Sequence, residues 1–354
     1  MAFILFATST ATAQDALSER VDRAVEAQRA SQKIPGLALA VCKNGQLIKA
    51  SGYGLANVEL DAKVTPDTIF QTGSVGKQFT AMAVMMLVEE GKIGLDDKIS
   101  KYIPESPQTW SKVTVRNLLT HTSGIADYGA EENTMAKGAI DFRKDYTEED
   151  LVKAFSTMPM DFAPGDKWKY SNTGYVLLGV IIHRATGKFY GDFLQERIFR
   201  PLGMSSTRII SETDIVPHRS SGYRLLKGEL KNQEWVSPTL NTTADGALYT
   251  NVLDLAKWDA ALYQRKFLKP ASYDAMWTPV TLNNGNTYPY GFGWCVKTQA
   301  GYHIVEHDGA WQGFTMSIAR FLDQGLTVVV MTNLDENNSN PAKIVADVAK
   351  IYLQ

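Results

Sequence analysis

The chain has 354 residues, of which 44% are hydrophobic and 21% are charged, and its formal net charge is −2. These values are typical of a folded globular protein with one large domain or two intertwined ones. A charge so close to zero provides no basic field for a phosphate backbone, so we expect no nucleic-acid partner.

The N-terminal segment, residues 1–13, is small and apolar and ends in the pattern Ala11-Thr-Ala13. This pattern is typical of the second half of a secretory signal peptide whose positively charged start is missing. The segment is too short and too polar to span a bilayer, so we expect no stable membrane insertion. We interpret it as a signal-peptide remnant of a periplasmic or secreted protein; the alternative is a disordered tail.

Apolar residues at helical spacing from Asp15 to about Ser31 predict an opening helix. Two strand-like runs follow, at 36–43 and 46–53. The dipeptide Asn44-Gly45 between them is a strong signal for a two-residue hairpin. The chain therefore begins with a helix and an antiparallel strand pair.

A serine and a lysine lie three residues apart in the next stretch, where Ser74 and Lys77 occupy a predicted helix start. The following residues 79–88 are apolar on nearly every side, which indicates a buried helix, and Gly91 fits a left-handed helix end. A lysine one turn from a serine can take its proton if burial keeps the amine neutral. Alone, an S-x-x-K pattern is expected about once by chance in a chain of this length.

The middle of the chain, from Asp96 to about Met204, contains helical patterns and turn clusters but no convincing strand run. We interpret residues 73–204 as a helical subdomain inserted into a sheet domain that is formed by residues 14–72 and 205–354. The last part of the chain contains strand-like runs at 290–296, 303–307, 313–321 and 326–331, and a final helix from Pro341 to about Leu353. Short links between these strands predict an α/β protein of the α+β kind, with helices packed on an antiparallel sheet.

Two cysteines, Cys42 and Cys295, both lie in strand-like runs. An exported protein can form a disulfide, but a chain with this much core does not require one. We expect two buried free thiols, although the sequence does not fix the distance between them.

A tyrosine and an asparagine, Tyr170 and Asn172, follow a turn and precede an apolar helix. The phenol can project from the loop toward Lys77, where a nearby ammonium favours its anionic form. It can then act as a base or return a proton to a leaving group. Asn172 can hydrogen-bond Lys77 or the substrate.

The third cluster, His307-Asp308-Gly309-Ala310, lies at the end of a predicted strand. A glycine lets a substrate approach the backbone, and the Ala310 N–H can join the Ser74 N–H as an oxyanion hole. Side chains alternate along a strand, so His307 and Asp308 face opposite sides and we expect Asp308 to be structural.

The three clusters, in this order, resemble the S-x-x-K, Y-x-N and K/H-x-G motifs of serine hydrolases with the class C β-lactamase fold. That family includes penicillin-binding proteins, D-aminopeptidases and carboxylesterases of the β-lactamase type. The stretches 118–124 and 244–250 also look similar, and the resemblance covers essentially residues 15–354. It implies a β-lactamase/transpeptidase-like fold, with the site in a cleft between the helical domain and the sheet.

The resemblance also implies roles for the individual residues. Ser74 would be the acylated nucleophile, and Lys77 and Tyr170 would share the general-base and general-acid roles. Asn172 would orient these groups, and His307 would line the opposite side of the pocket. No cofactor is implied, and the five scattered histidines without an H-E-x-x-H pattern suggest no metal site.

The residue at position 307 separates the candidate activities, because true class C β-lactamases resemble this chain but carry lysine there. A lysine can anchor a substrate carboxylate, whereas an unperturbed histidine, with a pKa of about 6.5, is mostly neutral at pH 7. We therefore expect a carboxylesterase acting on short-chain esters or small amides. A β-lactamase, a D-aminopeptidase or a DD-carboxypeptidase is the alternative, and a penicillin-binding sensor with poor turnover is less expected.

Some features remain open at this stage. Four aromatic residues near the motifs are candidates either for an apolar acyl pocket or for the core: Tyr128, Trp235, Tyr249 and Trp311. The partner is a small-molecule ester, amide or β-lactam substrate. The sequence does not determine which substrate this is, what the oligomeric state is, or whether the loop 124–150 acts as a lid.

Overall fold

The structure is a computed structural model that describes residues 5–129 and 140–354, and its helices and strands occur in blocks along the chain. The helices are α1 (Leu5–Ser31), α2 (Lys77–Glu89), α3 (Val115–Leu119), α4 (Glu148–Ser156), α5 (Asn172–Thr186), α6 (Tyr190–Leu194), α7 (Arg200–Leu202), α8 (Val252–Tyr263), α9 (Pro270–Met276) and α10 (Pro341–Leu353). Short 3₁₀ turns occur at Gly73–Gly76, Ile99–Lys101, Gln108–Trp110 and Leu240–Thr242, and a π-helical turn at Gln195–Phe199 joins α6 to α7.

The strands are β1 (Gly36–Lys43), β2 (Gln46–Asn57), β3 (Ala62–Lys63), β4 (Phe70–Gln71), β5 (Arg208–Ile209), β6 (Tyr223–Leu226), β7 (Glu229–Asn232), β8 (Leu248–Thr250), β9 (Val280–Thr281), β10 (Thr287–Tyr288), β11 (Cys295–Gln299), β12 (Tyr302–Trp311), β13 (Phe314–Phe321) and β14 (Leu326–Thr332). Seven of them form the main sheet in the order β11-β12-β13-β14-β1-β2-β3, and each neighbouring pair is antiparallel. The predicted antiparallel sheet is confirmed.

The hairpin between β1 and β2 forms at the predicted dipeptide. Asn44 and Gly45 both have positive φ, 52° and 71°. Positive φ at both central residues matches the twist of the flanking strands, and Asn-Gly adopts it readily. The first strand pair and its register therefore follow directly from the local sequence.

Helices cover both faces of the sheet. On one face, α1 and α10 bury Val21, Val25 and Ile344 against alternate residues of β1 and β14. On the other face, α8 packs against β1, β2 and β14, and the intervening residues, such as Ala38 and Val329, belong to one buried cluster with α2 and α5. This arrangement confirms the expectation of helices flanking a sheet.

The buried helix α2 begins at Lys77, directly after the turn that contains Ser74. Eleven consecutive residues, 77–87, are buried, as the apolar pattern predicts. The chain then leaves the helix through Gly91, whose φ is +70°. The regular elements in the described part of residues 73–204 are all helices or helical turns, with no strand among them. Helices α2 and α5 form the buried centre of this region.

The structure differs from the sequence expectations at two places, α1 and the start of β11. Helix α1 begins at Leu5 rather than Asp15, and residues 1–4 lie outside the described residues. The predicted strand 290–296 begins only at Cys295. Residues before it form a turn instead, because Gly291 N–H donates to the Trp294 carbonyl and Gly293 has φ +73°.

The two cysteines are both free. Cys42 lies in the interior strand β1 and is fully buried, but Cys295 lies on the edge strand β11 and is only partly buried. The expectation of two buried thiols is therefore wrong for Cys295. Within the described ranges, we find no helix that is both long and apolar enough to cross a bilayer.

Candidate active site

Ser74 and Lys77 lie at the start of α2 with their side chains in contact. Ser74 belongs to the 3₁₀ turn before the helix, and Lys77 is the first residue of the helix itself. Residues three apart share a helical face, so the Lys77 Nζ lies 3.0 Å from the Ser74 Oγ. The lysine side chain is completely buried, while Ser74 is partly exposed.

The Lys77 ammonium has two further acceptors. It donates to the Asn172 Oδ1 over 2.8 Å and to the Asp245 main-chain carbonyl over 2.6 Å. Burial lowers the pKa of Lys77 to about 8, although the Asp245 and Asp127 carboxylates act in the opposite direction. In the neutral amine, two N–H groups can still donate to these two carbonyl oxygens, which leaves the lone pair for the Ser74 hydroxyl proton.

The segment 244–246 is fastened to the serine helix on either side of Asp245. The Thr72 hydroxyl donates to the Gly246 carbonyl over 2.9 Å, and the Thr80 hydroxyl donates to the Ala244 carbonyl over 2.7 Å. These bonds fix the Asp245 carbonyl in front of Lys77. The sequence analysis did not identify this acceptor, since a main-chain carbonyl has no residue signature; only the stretch 244–250 pointed to the region.

Tyr170 lies beside the pair, but its ionisation differs from the expectation. Its ring centroid is 4.9 Å from the Lys77 Nζ, and its buried phenol oxygen has no hydrogen-bond partner among the described residues. Burial raises the pKa of Tyr170 well above 10, although the nearby Ser74 hydroxyl lowers it. The expected preference for a phenolate is therefore wrong, because burial is the largest effect and it favours the neutral phenol.

Asn172 is held in place by Asp127, another residue that the sequence analysis missed. The Asp127 carboxylate accepts hydrogen bonds from the Asn172 backbone N–H at 2.9 Å and from its Nδ2 at 3.3 Å. With the amide nitrogen used in this way, its oxygen faces Lys77. Burial raises the pKa of Asp127, and the Asn172 N–H opposes that change.

Strand β12 passes directly in front of the serine turn. A Cβ on Gly73 would lie 2.5 Å from the Ala310 nitrogen, and a Cβ on Gly309 would lie 2.9 Å from the Ser74 nitrogen. Glycine at both positions permits this close approach. The backbone nitrogens of Ser74 and Ala310 therefore lie near each other, as an oxyanion hole requires.

His307 is buried on the side of the sheet that faces Ser74, and Asp308 is exposed on the other side. The His307 Nδ1 lies 2.6 Å from the Asp308 carbonyl, which can only accept, so Nδ1 carries the proton. Nε2 then accepts from the Tyr290 hydroxyl over 2.8 Å. Burial and the Lys77 charge lower the pKa of His307 to about 4, so the ring is a neutral acceptor.

The predicted site residues come together around one cavity of about 1090 Å³. Its lining includes Ser74, Tyr170, Asn172, His307, Gly309 and Ala310, and Lys77 lies buried behind Ser74. Of the four aromatic candidates, Tyr128 and Trp311 line this cavity. Tyr249 is buried in a separate small cluster, and Trp235 is 59% exposed and outside the lining.

No group of three or more His, Cys, Asp or Glu side chains in residues 5–129 and 140–354 is arranged to hold an ion. The groups that the described site presents are a serine, a buried amine, a phenol and backbone N–H groups.

The chain matches a known protein family and is similar to several known proteins. A family model described as Beta-lactamase matches residues 21–352. Penicillin-binding protein 4* of Bacillus subtilis is 33% identical over 309 residues, which are 83% of this chain and 67% of that protein. A D-aminopeptidase of Gluconobacter oxydans is 28% identical over 322 residues, 90% of this chain and 59% of that protein. The chain thus spans about three-fifths to two-thirds of the length of these two relatives.

Solved structures agree with the sequence matches. The octameric penicillin-binding protein homologue from Pyrococcus abyssi has a TM-score of 0.82 and 30% identity, covering 95% of this chain and 77% of that one. The D-amino acid amidase from Ochrobactrum anthropi SV3 has a TM-score of 0.80 and 25% identity, covering 96% and 99%. Since the family model spans nearly the whole chain and the fold is shared, the chain belongs to the beta-lactamase family of serine hydrolases.

Proposed function

We propose that this protein hydrolyses small esters and small amides through an acyl-enzyme on Ser74. The observation that carries the proposal is the environment of Lys77: a fully buried amine, 3.0 Å from the Ser74 Oγ, with its other two N–H groups directed to fixed carbonyl oxygens. A buried amine whose pKa is near 8 can be neutral at the pH of catalysis and accept a proton.

Acylation begins when Ser74 Oγ attacks the substrate carbonyl carbon and transfers its proton to Lys77. The electron pair of the C=O bond moves to the oxygen, and the oxyanion receives hydrogen bonds from the N–H groups of Ser74 and Ala310. When the tetrahedral intermediate collapses, the bond to the leaving group breaks. The leaving oxygen or nitrogen takes a proton from the Tyr170 phenol, and the Lys77 ammonium returns a proton to Tyr170.

Deacylation repeats these steps with water as the nucleophile. Water attacks the acyl carbon and gives a proton to the neutral amine of Lys77. The bond between the acyl carbon and Ser74 Oγ then breaks, and Ser74 Oγ takes a proton back from the Lys77 ammonium. The products are a carboxylic acid and the free enzyme, so atoms and charge balance without any cofactor.

The neutral state of His307 supports substrates with an uncharged group at this wall of the cavity. A buried imidazole that accepts from Tyr290 and donates to a carbonyl has no positive charge with which to bind a carboxylate. Penicillins and peptide C-termini carry that carboxylate. Esters and primary amides do not, and for this reason we place a carboxylesterase or amidase activity ahead of a β-lactamase or DD-carboxypeptidase.

A second candidate is hydrolysis of amides of D-amino acids. The D-aminopeptidase and the D-amino acid amidase among the similar proteins support it. So does the Asp245 carboxylate, which lines the cavity and can attract a substrate ammonium. This candidate uses the same acylation steps and differs from the first only in the group that the cavity accepts.

The proposal is tested by initial rates on p-nitrophenyl acetate, D-alanine amide and nitrocefin. We expect the ester or the amide to be turned over and nitrocefin to be hydrolysed much more slowly. Ser74→Ala should lose at least about 10³-fold in kcat/KM on every substrate. Full activity in this variant would disprove the acyl-enzyme mechanism, and efficient nitrocefin turnover would disprove the argument from His307.

We also propose two features of organisation. Residues 73–204 would form a helical subdomain beside a sheet domain of residues 14–72 and 205–354, supported by the purely helical elements of the described part of that insertion.

Export to the periplasm or outside the cell is supported by the small apolar run ending in Ala11-Thr-Ala13. Cell fractionation with N-terminal sequencing of the expressed chain tests the export; an uncleaved chain in the cytoplasm would contradict it.

A further inference from the structure

His121 is a buried residue near the site to which the proposed mechanism gives no role. It lies just after α3, is 1% exposed, and has a φ of +58°. Few residues other than glycine adopt this left-handed conformation, and histidine and asparagine are among those that do. A strained, buried histidine beside an active site suggests that its side chain is needed there.

His121 accepts hydrogen bonds from the residues on either side of Tyr170 in the sequence. The backbone N–H of Lys169 donates to the His121 carbonyl over 3.0 Å, and the backbone N–H of Ser171 donates to the His121 Nδ1 over 3.1 Å. The residues immediately before and after Tyr170 are thus both fixed to this one residue. The second bond depends on the side chain, so a substitution can remove it selectively.

The His121 ring also packs against the Tyr170 ring. Their centroids are 4.3 Å apart with an interplanar angle of 34°. The Lys77 Nζ lies 4.9 Å from the same tyrosine ring. The phenol is therefore held by the histidine through its ring and through its backbone, within reach of the lysine and serine.

The protonation of His121 suits this contact. Since Nδ1 accepts from a backbone N–H, the neutral ring carries its proton on Nε2. Burial lowers the pKa of His121 well below its ordinary value, and the charge of Lys77 acts in the same direction. Nε2 has no hydrogen-bond partner among the described residues, so the bond with Ser171 is the polar contact that the side chain makes there.

We propose that His121 is a positioning residue that holds the Tyr170 phenol in line with the leaving group, through its Nδ1 bond to Ser171 and its ring contact with Tyr170. This inference rests on the proposed function, in which Tyr170 protonates the leaving group. It extends that function by naming the residue that orients the acid.

The test compares two leaving groups on one acyl group. Ethyl butyrate needs a proton on the departing oxygen, whereas p-nitrophenyl butyrate releases a stable phenolate without one. His121→Phe keeps a ring but removes the acceptor, and His121→Asn keeps an acceptor and tolerates the positive φ. Rates are divided by the concentration of active sites, measured by labelling Ser74 with a fluorophosphonate.

We expect His121→Phe to lose about 10²-fold in kcat on ethyl butyrate, with little change in KM. On p-nitrophenyl butyrate, the same variant should stay within about threefold of wild type. His121→Asn should lose less than His121→Phe on the ethyl ester. Tyr170→Phe should lose at least as much on ethyl butyrate, and adding His121→Phe to it should cause no further loss on that ester.

Equal losses on both esters, after correction for active sites, would mean a merely structural role and would overturn the inference. So would a further selective loss in the double variant. Both results leave the proposed function intact as long as Ser74→Ala is inactive, whereas an active Ser74→Ala variant refutes the function itself. If His121→Phe does not fold, His121→Ala with added imidazole replaces it, and absence of rescue on the ethyl ester counts against the inference.

Discussion

Gly309 lies so close to Thr72 that a Cβ at this position would be 2.1 Å from the Thr72 carbonyl oxygen. Real Cβ atoms do not approach backbone oxygens at this distance, so Gly309→Ala must push β12 away from the serine turn. We expect a loss of about 10²-fold or more in kcat, because the N–H groups proposed for the oxyanion would separate. Steady-state kinetics on p-nitrophenyl acetate measures it, and a variant with wild-type kcat would contradict the proposed oxyanion hole.

The pH dependence of activity should follow Lys77. The neutral amine is the active form, and its pKa of about 8 lies far below the usual lysine value because of burial. kcat/KM should therefore rise as the pH increases through about 8, and should fall about tenfold for each pH unit below that range. A profile that is flat between pH 6 and 9 would rule out Lys77 as the base.

Asp245→Asn should shift this profile in a defined direction. The substitution keeps the main-chain carbonyl that accepts from Lys77 and offers an amide oxygen to the Tyr128 hydroxyl. It removes a negative charge that raises the pKa of Lys77 against the larger effect of burial. The acid limb of the kcat/KM profile should therefore move to lower pH; a shift to higher pH would contradict the assignment.

His307 should not titrate in the range where free histidine does. Burial lowers its pKa to about 4, so its ring ¹⁵N resonances should stay constant between pH 5.5 and 8.5. Tyr290→Phe removes the donor that stabilises the neutral ring, so the pKa of His307 should rise. Nuclear magnetic resonance titration of both proteins measures this; an imidazolium signal at pH 7 in the wild type would remove the argument for neutral substrates.

The buried ion pair between Arg320 and Asp259 should support stability and not catalysis. The Arg320 Nε lies 2.8 Å from the Asp259 Oδ1, and both residues are at least 96% buried. Asp259→Asn leaves a buried guanidinium without its counter-ion and should lower the free energy of unfolding by about 3–5 kcal/mol. Urea denaturation measures it. The matched control is Asp96→Asn at the exposed pair with Arg116, where we expect about 0–1 kcal/mol.

The sequence was most informative where local rules decide the structure. Asn44-Gly45 predicted the hairpin because its residues tolerate positive φ, and the continuous apolar run after Lys77 predicted a buried helix. Repeated short strands near the end of the chain predicted the antiparallel sheet. The three motif clusters pointed to residues that the structure brings around one cavity.

The features that the sequence could not provide depend on contacts between distant segments. The carbonyl of Asp245 is an acceptor for Lys77 only because two threonines of the serine turn and helix fix its neighbours. The protonated state of Tyr170 follows from burial, which no local pattern reveals. Tyr290 and Asp127 act on His307 and Asn172 through tertiary packing, and neither belongs to a motif that signals this role.

The fastening of segment 244–246 to the serine helix also bears on when activity can appear during synthesis. Ser74 and Lys77 leave the ribosome early, but the carbonyl that fixes the lysine and the strand that faces the serine are made much later. A nascent chain that stops before residue 245 has the nucleophile without the acceptor that orders its base. Hydrolytic activity should therefore appear only once β12 has been added.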